Sequence, residues 1–183
     1  MLESHEDFGE AFTPELRKQD AAVRAQALGL PTPTFQQGSD VLIAGLTAPM
    51  AGTRVRGSRS SGSGSPRTWA KCRARLGDDA YGVCLASDRD SRFEYLAGVA
   101  VSSPDRLSDG FTTIKVDARR YAVFAHAGHV LSLRVTIDTI WTKWAPDCGL
   151  HIARGVPCLQ RYTHEFDPGK GLGGMEVWIP LGA

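Results

Sequence analysis

The chain has 183 residues, 42% apolar and 22% charged, enough to bury a core and too apolar for general disorder. Its 21 lysines and arginines against 20 acids leave a formal charge of +1, which excludes wholesale wrapping of nucleic acid. No apolar run approaches the roughly 18–20 residues that span a bilayer, and the acidic Glu3, Glu6, Asp7 and Glu10 have the wrong sign for a secretory signal, so a cytoplasmic protein with no membrane partner is expected.

Residues 1–38 are alanine-rich and poor in strand formers. Thr13-Pro14 reads as a cap and first helical position, and Leu16, Val23 and Leu28 give the following helix a weak apolar face. Gly29-Leu-Pro31 and Gln36-Gln-Gly38 read as a linker, so this segment is expected to be removable without loss of a core. Val41–Leu46 is a strand. The basic Gly52–Ser65 stretch reads as a loop, and Arg54, Arg56, Arg59 and Arg67 make it either a solvated insertion or a polyanion-binding arm. Ser65-Pro66 predicts a helix to about Gly77 with Trp69, Cys72 and Leu76 on its buried side.

Strands are predicted at Ala80–Leu85, Phe93–Val101, Phe111–Val116 and Tyr121–Ala127. The longest helix runs from about Gly128 to Ala145, with Val130, Leu133, Ile137, Ile140, Trp141 and Trp144 on one side and Ser132, Thr136, Thr139 and Lys143 on the other. Pro146 stops it. Cys158–His164 and Met175–Leu181 close the chain as strands. Each half holds one helix and ends on a similar strand, Phe93-Glu-Tyr-Leu96 and Met175-Glu-Val-Trp178, which suggests a duplicated βαββ unit. The predicted fold is α+β, a mostly antiparallel sheet with two helices on one face.

Nucleophile-elbow, zincin, phosphate-loop and dinucleotide motifs are absent, so no catalytic residue, metal ligand or cofactor is assigned. His126 and His129 stand three apart at a strand-to-helix junction, where a cap or a hydrogen-bonded histidine competes with a metal pair. Cys72, Cys84, Cys148 and Cys158 lack C-x-x-C spacing and read as reduced thiols. Strand alternation places Glu176 with Trp178, Gln160 with Tyr162, Phe93 with Tyr95, and Phe124 with His126. If these faces meet beneath Trp141 or Trp144, they enclose an aromatic slot with an acid at its floor, suited to a flat, amphipathic, cationic ligand. The same aromatics also suit an ordinary core, with Glu176 on an exposed strand face.

The ordered run Tyr81-Gly-Val-Cys84, Phe93–Val99, Tyr121–Gly128, Ile140-Trp141, Arg161-Tyr162, Phe166-Asp-Pro and Glu176–Pro180 resembles the effector-binding domain of AraC-type regulators, called GyrI-like when it stands alone. The resemblance covers about residues 39–181 and implies two βαββ modules of the SHS2-like kind around a groove for hydrophobic, often cationic molecules. Many members carry an acid just before the Arg-Tyr pair; Gln160 stands there, which shifts the expected charge to Glu176. The resemblance divides the chain into 1–38, a helix-turn-helix remnant plus linker, and 39–183, the effector-binding domain. The Leu2–Phe12 segment and Thr13-Pro-Glu-Leu-Arg17 resemble the end of an AraC-family DNA-binding region.

The expected function is that of a small-molecule sensor domain, with Tyr95, Phe124, Trp141, Tyr162 and Trp178 as walls, Gln160 as a hydrogen-bonding group and Glu176 as the charge. Its expected partners are a hydrophobic or cationic aromatic ligand, a second copy of the chain as a homodimer, and DNA only if a complete helix-turn-helix is supplied upstream. A hydrolase using Glu176 with Tyr162 or a water, and a gyrase-masking interaction protein, are the alternatives.

Overall fold

In a computed structural model, the described residues are 14–51, 75–85, 92–105, 107 and 110–182. Eight strands form one sheet: β1 (Thr34–Gly38), β2 (Val41–Ala51), β3 (Arg75–Leu85), β4 (Arg92–Val101), β5 (Thr112–Val116), β6 (Arg119–His126), β7 (Cys158–Tyr162) and β8 (Met175–Pro180). Their spatial order is β1-β6-β8-β7-β3-β4-β2-β5, and every pairing between these strands is antiparallel. The trios β2-β4-β3 and β6-β8-β7 repeat one connectivity in opposite directions across the sheet and meet where β3 pairs β7. The duplicated strands read from the sequence are present, and β4 and β8, which end the matching halves, take equivalent places.

The alternation of side chains explains why one sheet has two buried faces. On β8, Met175, Val177 and Ile179 are buried against the helical layer, while Glu176 and Trp178 turn the other way. On the opposite face, Ile43, Val83, Leu96, Val116, Tyr121, Val123 and Leu159 form a second cluster. Strands from both ends of the order contribute to it, so the sheet is curled.

The helical layer has two parts. α1 (Pro14–Ala27) buries Ala21 and Ala25 rather than the larger side chains, since Leu16 and Val23 are exposed. Gly29, with φ 68°, ends it: its N–H bonds the Gln26 carbonyl at 2.9 Å, and the Leu30 N–H bonds the Ala25 carbonyl at 2.9 Å. That pair of bonds makes a Schellman motif, which needs the left-handed residue glycine supplies, and Leu30 then enters the core. The second part runs from His129, whose ring accepts from the Leu131 N–H, through a 3-10 turn (Val130–Ser132), α2 (Leu133–Thr139), a π turn (Ile140–Trp144) and a 3-10 turn (Ala145–Asp147). Trp144 is fully buried, meets Phe124 edge-on at 4.8 Å, and donates its indole N–H to the Ala21 carbonyl at 2.9 Å. Arg24 pairs with Asp147, tying the two helical parts together.

Three sequence expectations are corrected here. Residues 14–30 contribute Ala21, Ala25 and Leu30 to the core, so the segment is not removable without cost; small residues let α1 sit close and hid that face from an apolar count. The supposed linker contains β1, which pairs β6 at the sheet's edge. Leu76 and Gly77 lie in β3, not at the end of a helix, and Leu76 is exposed. The rest of that predicted helix, with Trp69 and Cys72, the arginine-rich stretch and the Leu2–Phe12 segment lie outside the described residues.

Candidate ligand site on the helix-bearing face

Cross-strand partners in an antiparallel pair share a face. Gln160 opposes Gly82 on β3 and Val177 on β8, and Tyr95 on β4 opposes Cys84, so Tyr95, Cys84 and Gln160 all point toward the helices. Tyr162, two residues from Gln160, follows. The glycine at 82 is what lets Tyr95 lie across β3: a Cβ there would sit 1.9 Å from the Tyr95 hydroxyl. The hydroxyls of Tyr95 and Tyr162 both donate to Gln160 Oε1, each at 3.1 Å, and Gln160 Nε2 points at Cys84 Sγ at 3.8 Å. Across the pair from Cys84 lies Cys158, whose thiol has the Trp141 indole as a neighbour.

The result is a small polar floor, with Gln160 buried at 9% exposure and Trp141, 38% exposed, at its rim. Burial, reinforced by the neighbouring Tyr162 and Cys84, holds the Tyr95 hydroxyl protonated well above its ordinary value, and burial raises Tyr162 as well. Neither group draws on a carboxylate; tyrosines and cysteines are the neighbours that shift them. This floor offers ring faces, hydrogen bonds and thiols, and none of its residues named above is a carboxylate.

Of the seven residues expected to share one slot, the structure brings together Tyr95, Trp141, Gln160 and Tyr162. Phe124 is on the same face but fully buried beneath Trp144 in the packed core. Glu176 and Trp178 are on the opposite face, because Glu176 opposes Arg161 and Trp178 opposes Leu159, one register position away from Gln160. Glu176 Oε2 accepts the Trp178 indole N–H at 2.8 Å and lies 3.6 Å from Arg161, which is also bound to Asp79 at 2.6 Å. The expectation of an acid on the floor of the aromatic slot is therefore corrected: strand alternation puts the acid and the slot on different sides of one sheet. The histidine pair resolves as cap and hydrogen-bonded ring. His129 caps the 3-10 turn, and His126 contacts Thr136 Oγ1 at 3.0 Å and Ser132 Oγ at 3.2 Å. No cluster of three or more metal-ligating side chains occurs among the described residues. Three participants were missed in the sequence, Gly82 and the opposed Cys84 and Cys158; a glycine inside a strand pattern signals close approach, whereas cross-strand register carries no sequence signal.

The architecture is thus a curled antiparallel sheet with helices over one face and an aromatic, hydrogen-bonding floor beneath them. The chain belongs to the GyrI-like small-molecule-binding domain family, whose model matches residues 63–181. The transcriptional regulator BrlR of Pseudomonas aeruginosa is 28% identical over 105 residues, which are 56% of this chain and 37% of that protein; the chain thus spans well under half of the relative's length. Among solved structures, SAV2435 bound to tetraphenylphosphonium aligns with TM-score 0.59 and 14% identity over 82% of this chain and 94% of that one. The Vibrio cholerae integron cassette protein VCH_CASS2 aligns with TM-score 0.52 and 16% identity over 82% and 95%. EcmrR, in a complex with DNA, aligns with TM-score 0.60 and 7% identity over 91% and 66%. At such identities these structures establish the shared fold.

Proposed function

We propose that this domain senses a small hydrophobic aromatic ligand, which lies against Trp141 and the tyrosine rings with Gln160 beneath it, as the effector-binding part of a cytoplasmic transcription regulator of AraC-type ancestry. The observation that carries this reading is the convergence of two tyrosine hydroxyls on the buried Gln160 carbonyl, at the edge of a half-exposed tryptophan. A flat ligand gains affinity there from apolar burial, about 25 cal/mol per Å² before ordering costs, and from stacking on the rings. Cations are accommodated through ring faces alone, since Gln160 occupies the position where many relatives carry an acid. Family membership and the regulator relationship support the reading. DNA contact would require a complete helix-turn-helix, with the ligand shifting the balance of its states.

Titration with a neutral polyaromatic fluorophore tests it. Trp141→Ala and Tyr162→Phe should each weaken binding by at least severalfold while the domain stays folded. Unchanged affinity in both variants would refute the assignment.

A further inference from the structure

Cys84 and Cys158 stand directly opposite each other where β3 pairs β7. Such partners share a face with Cα atoms about 4.5–5.5 Å apart, close enough to bring the two sulfurs within reach of one another. Both cysteines are free, and each thiol is the chief influence on the other's ionisation. They lie on the floor just described, with Gln160 Nε2 3.8 Å from Cys84 Sγ. The remaining described cysteine, Cys148, is elsewhere, with its thiol on the carbonyls of Ala145 and Leu150. No third ligating side chain completes a metal cage among the described residues. What a bare dithiol serves is a soft centre that needs two sulfurs and brings its own third substituent.

We propose that Cys84 and Cys158 form a dithiol capture site for trivalent aryl-arsenicals, the arsenic bridging the two sulfurs while the aryl ring lies beside Trp141 and Tyr95. The exchange balances without redox change. Two As–O bonds of an arylarsonous acid break, two As–S bonds form, and each hydroxide leaves as water with one thiol proton. Cys158 supplies the first sulfur: the Cys84 thiol and the Trp141 indole stabilise its thiolate against the opposing effect of burial. Cys84, held protonated by the neighbouring Cys158 and by burial, gives up its proton as the ring closes.

This capture uses the floor of the proposed sensing site but does not require reversible ligand binding to occur there. The test treats the reduced full chain with phenylarsonous acid and follows intact mass. The expected product carries one phenylarsenic per chain with two thiol hydrogens lost, survives excess glutathione, and is stripped by dimercaptopropanol. Peptide mapping should place it on Cys84 and Cys158, so the wild-type result stands whether or not serine variants fold. C84S and C158S should lose the glutathione-resistant adduct, and C72S and C148S should keep it. An adduct that glutathione removes, or one that maps to Cys72 or Cys148, would overturn the proposal. Displacement of a bound fluorophore by the arsenical is read separately, so failure of the sensing assignment leaves the adduct count intact.

Discussion

Replacing Gln160 by Glu puts an acid at a position on the helix-bearing face where two hydroxyls already converge. The carboxylate keeps both tyrosine donors at 3.1 Å and exchanges a weak amide contact with Cys84 for a negative charge. At an effective dielectric of about 20, unit charges about 5 Å apart attract by about 3 kcal/mol. Part of that is offset, because the cation must be desolvated, while charge-assisted bonds from the tyrosines hold the carboxylate ionised. The net expectation is a ten- to hundredfold gain for a cationic ligand, about 1.4–2.8 kcal/mol. Calorimetric titration with N-methylacridinium and with neutral acridine, at a pH that keeps acridine unprotonated, separates charge from shape. Gln160→Glu should strengthen the first and leave the second within about twofold. An equal change for both ligands, or none for the cation, would refute the placement of Gln160 beneath the ligand.

Gly82→Ala should push the Tyr95 ring off β3, since the added Cβ would lie 1.9 Å from the hydroxyl; urea unfolding should show a loss of about 1–3 kcal/mol, and fluorophore affinity should fall, whereas wild-type values for both would contradict the close approach. Glu176→Gln removes a carboxylate held by Arg161 and Trp178 on the opposite face, so stability should drop by about 0.5–1.5 kcal/mol with ligand affinities unchanged, and selective weakening of cationic dyes would return the acid to the site. Tyr95 remains protonated above the 10.0 at which an unfolded tyrosine ionises, so its contribution to stability is complete below that pH and declines as pH rises from there toward its folded value. Tyr95→Phe should flatten that alkaline decline in unfolding measurements made across the range, and an unaltered slope would show that burial of this hydroxyl contributes nothing.

The strands and their duplication were legible because period-2 alternation and turn residues are local signals; Met175–Pro180 and Cys158–Tyr162 are in place with the faces that alternation assigned. What alternation could not supply is which faces meet. Gln160 and Arg161 differ by one residue, yet one looks toward Tyr95 and the other toward Glu176, and register alone decides this. The long helix was legible in its core residues Leu133, Ile140 and Trp144, but its passage through 3-10 and π turns leaves Trp141 half-exposed instead of buried. α1 was legible as a helix and illegible as core: Ala21 and Ala25 carry too little hydrophobicity to mark a buried face, and what they provide is close approach. Gly29 is legible as a break, but it caps a docked helix and does not loosen a linker.

Side-chain NMR of the tryptophans during titration with a neutral aromatic ligand decides most directly which face of the sheet receives it. The indole N–H of Trp141 and the side-chain amide of Gln160 should shift with ligand, while the indole N–H of Trp178, on Glu176, should not move. A shift of Trp178 with Trp141 and Gln160 still would place the ligand on the opposite face and contradict the assignment.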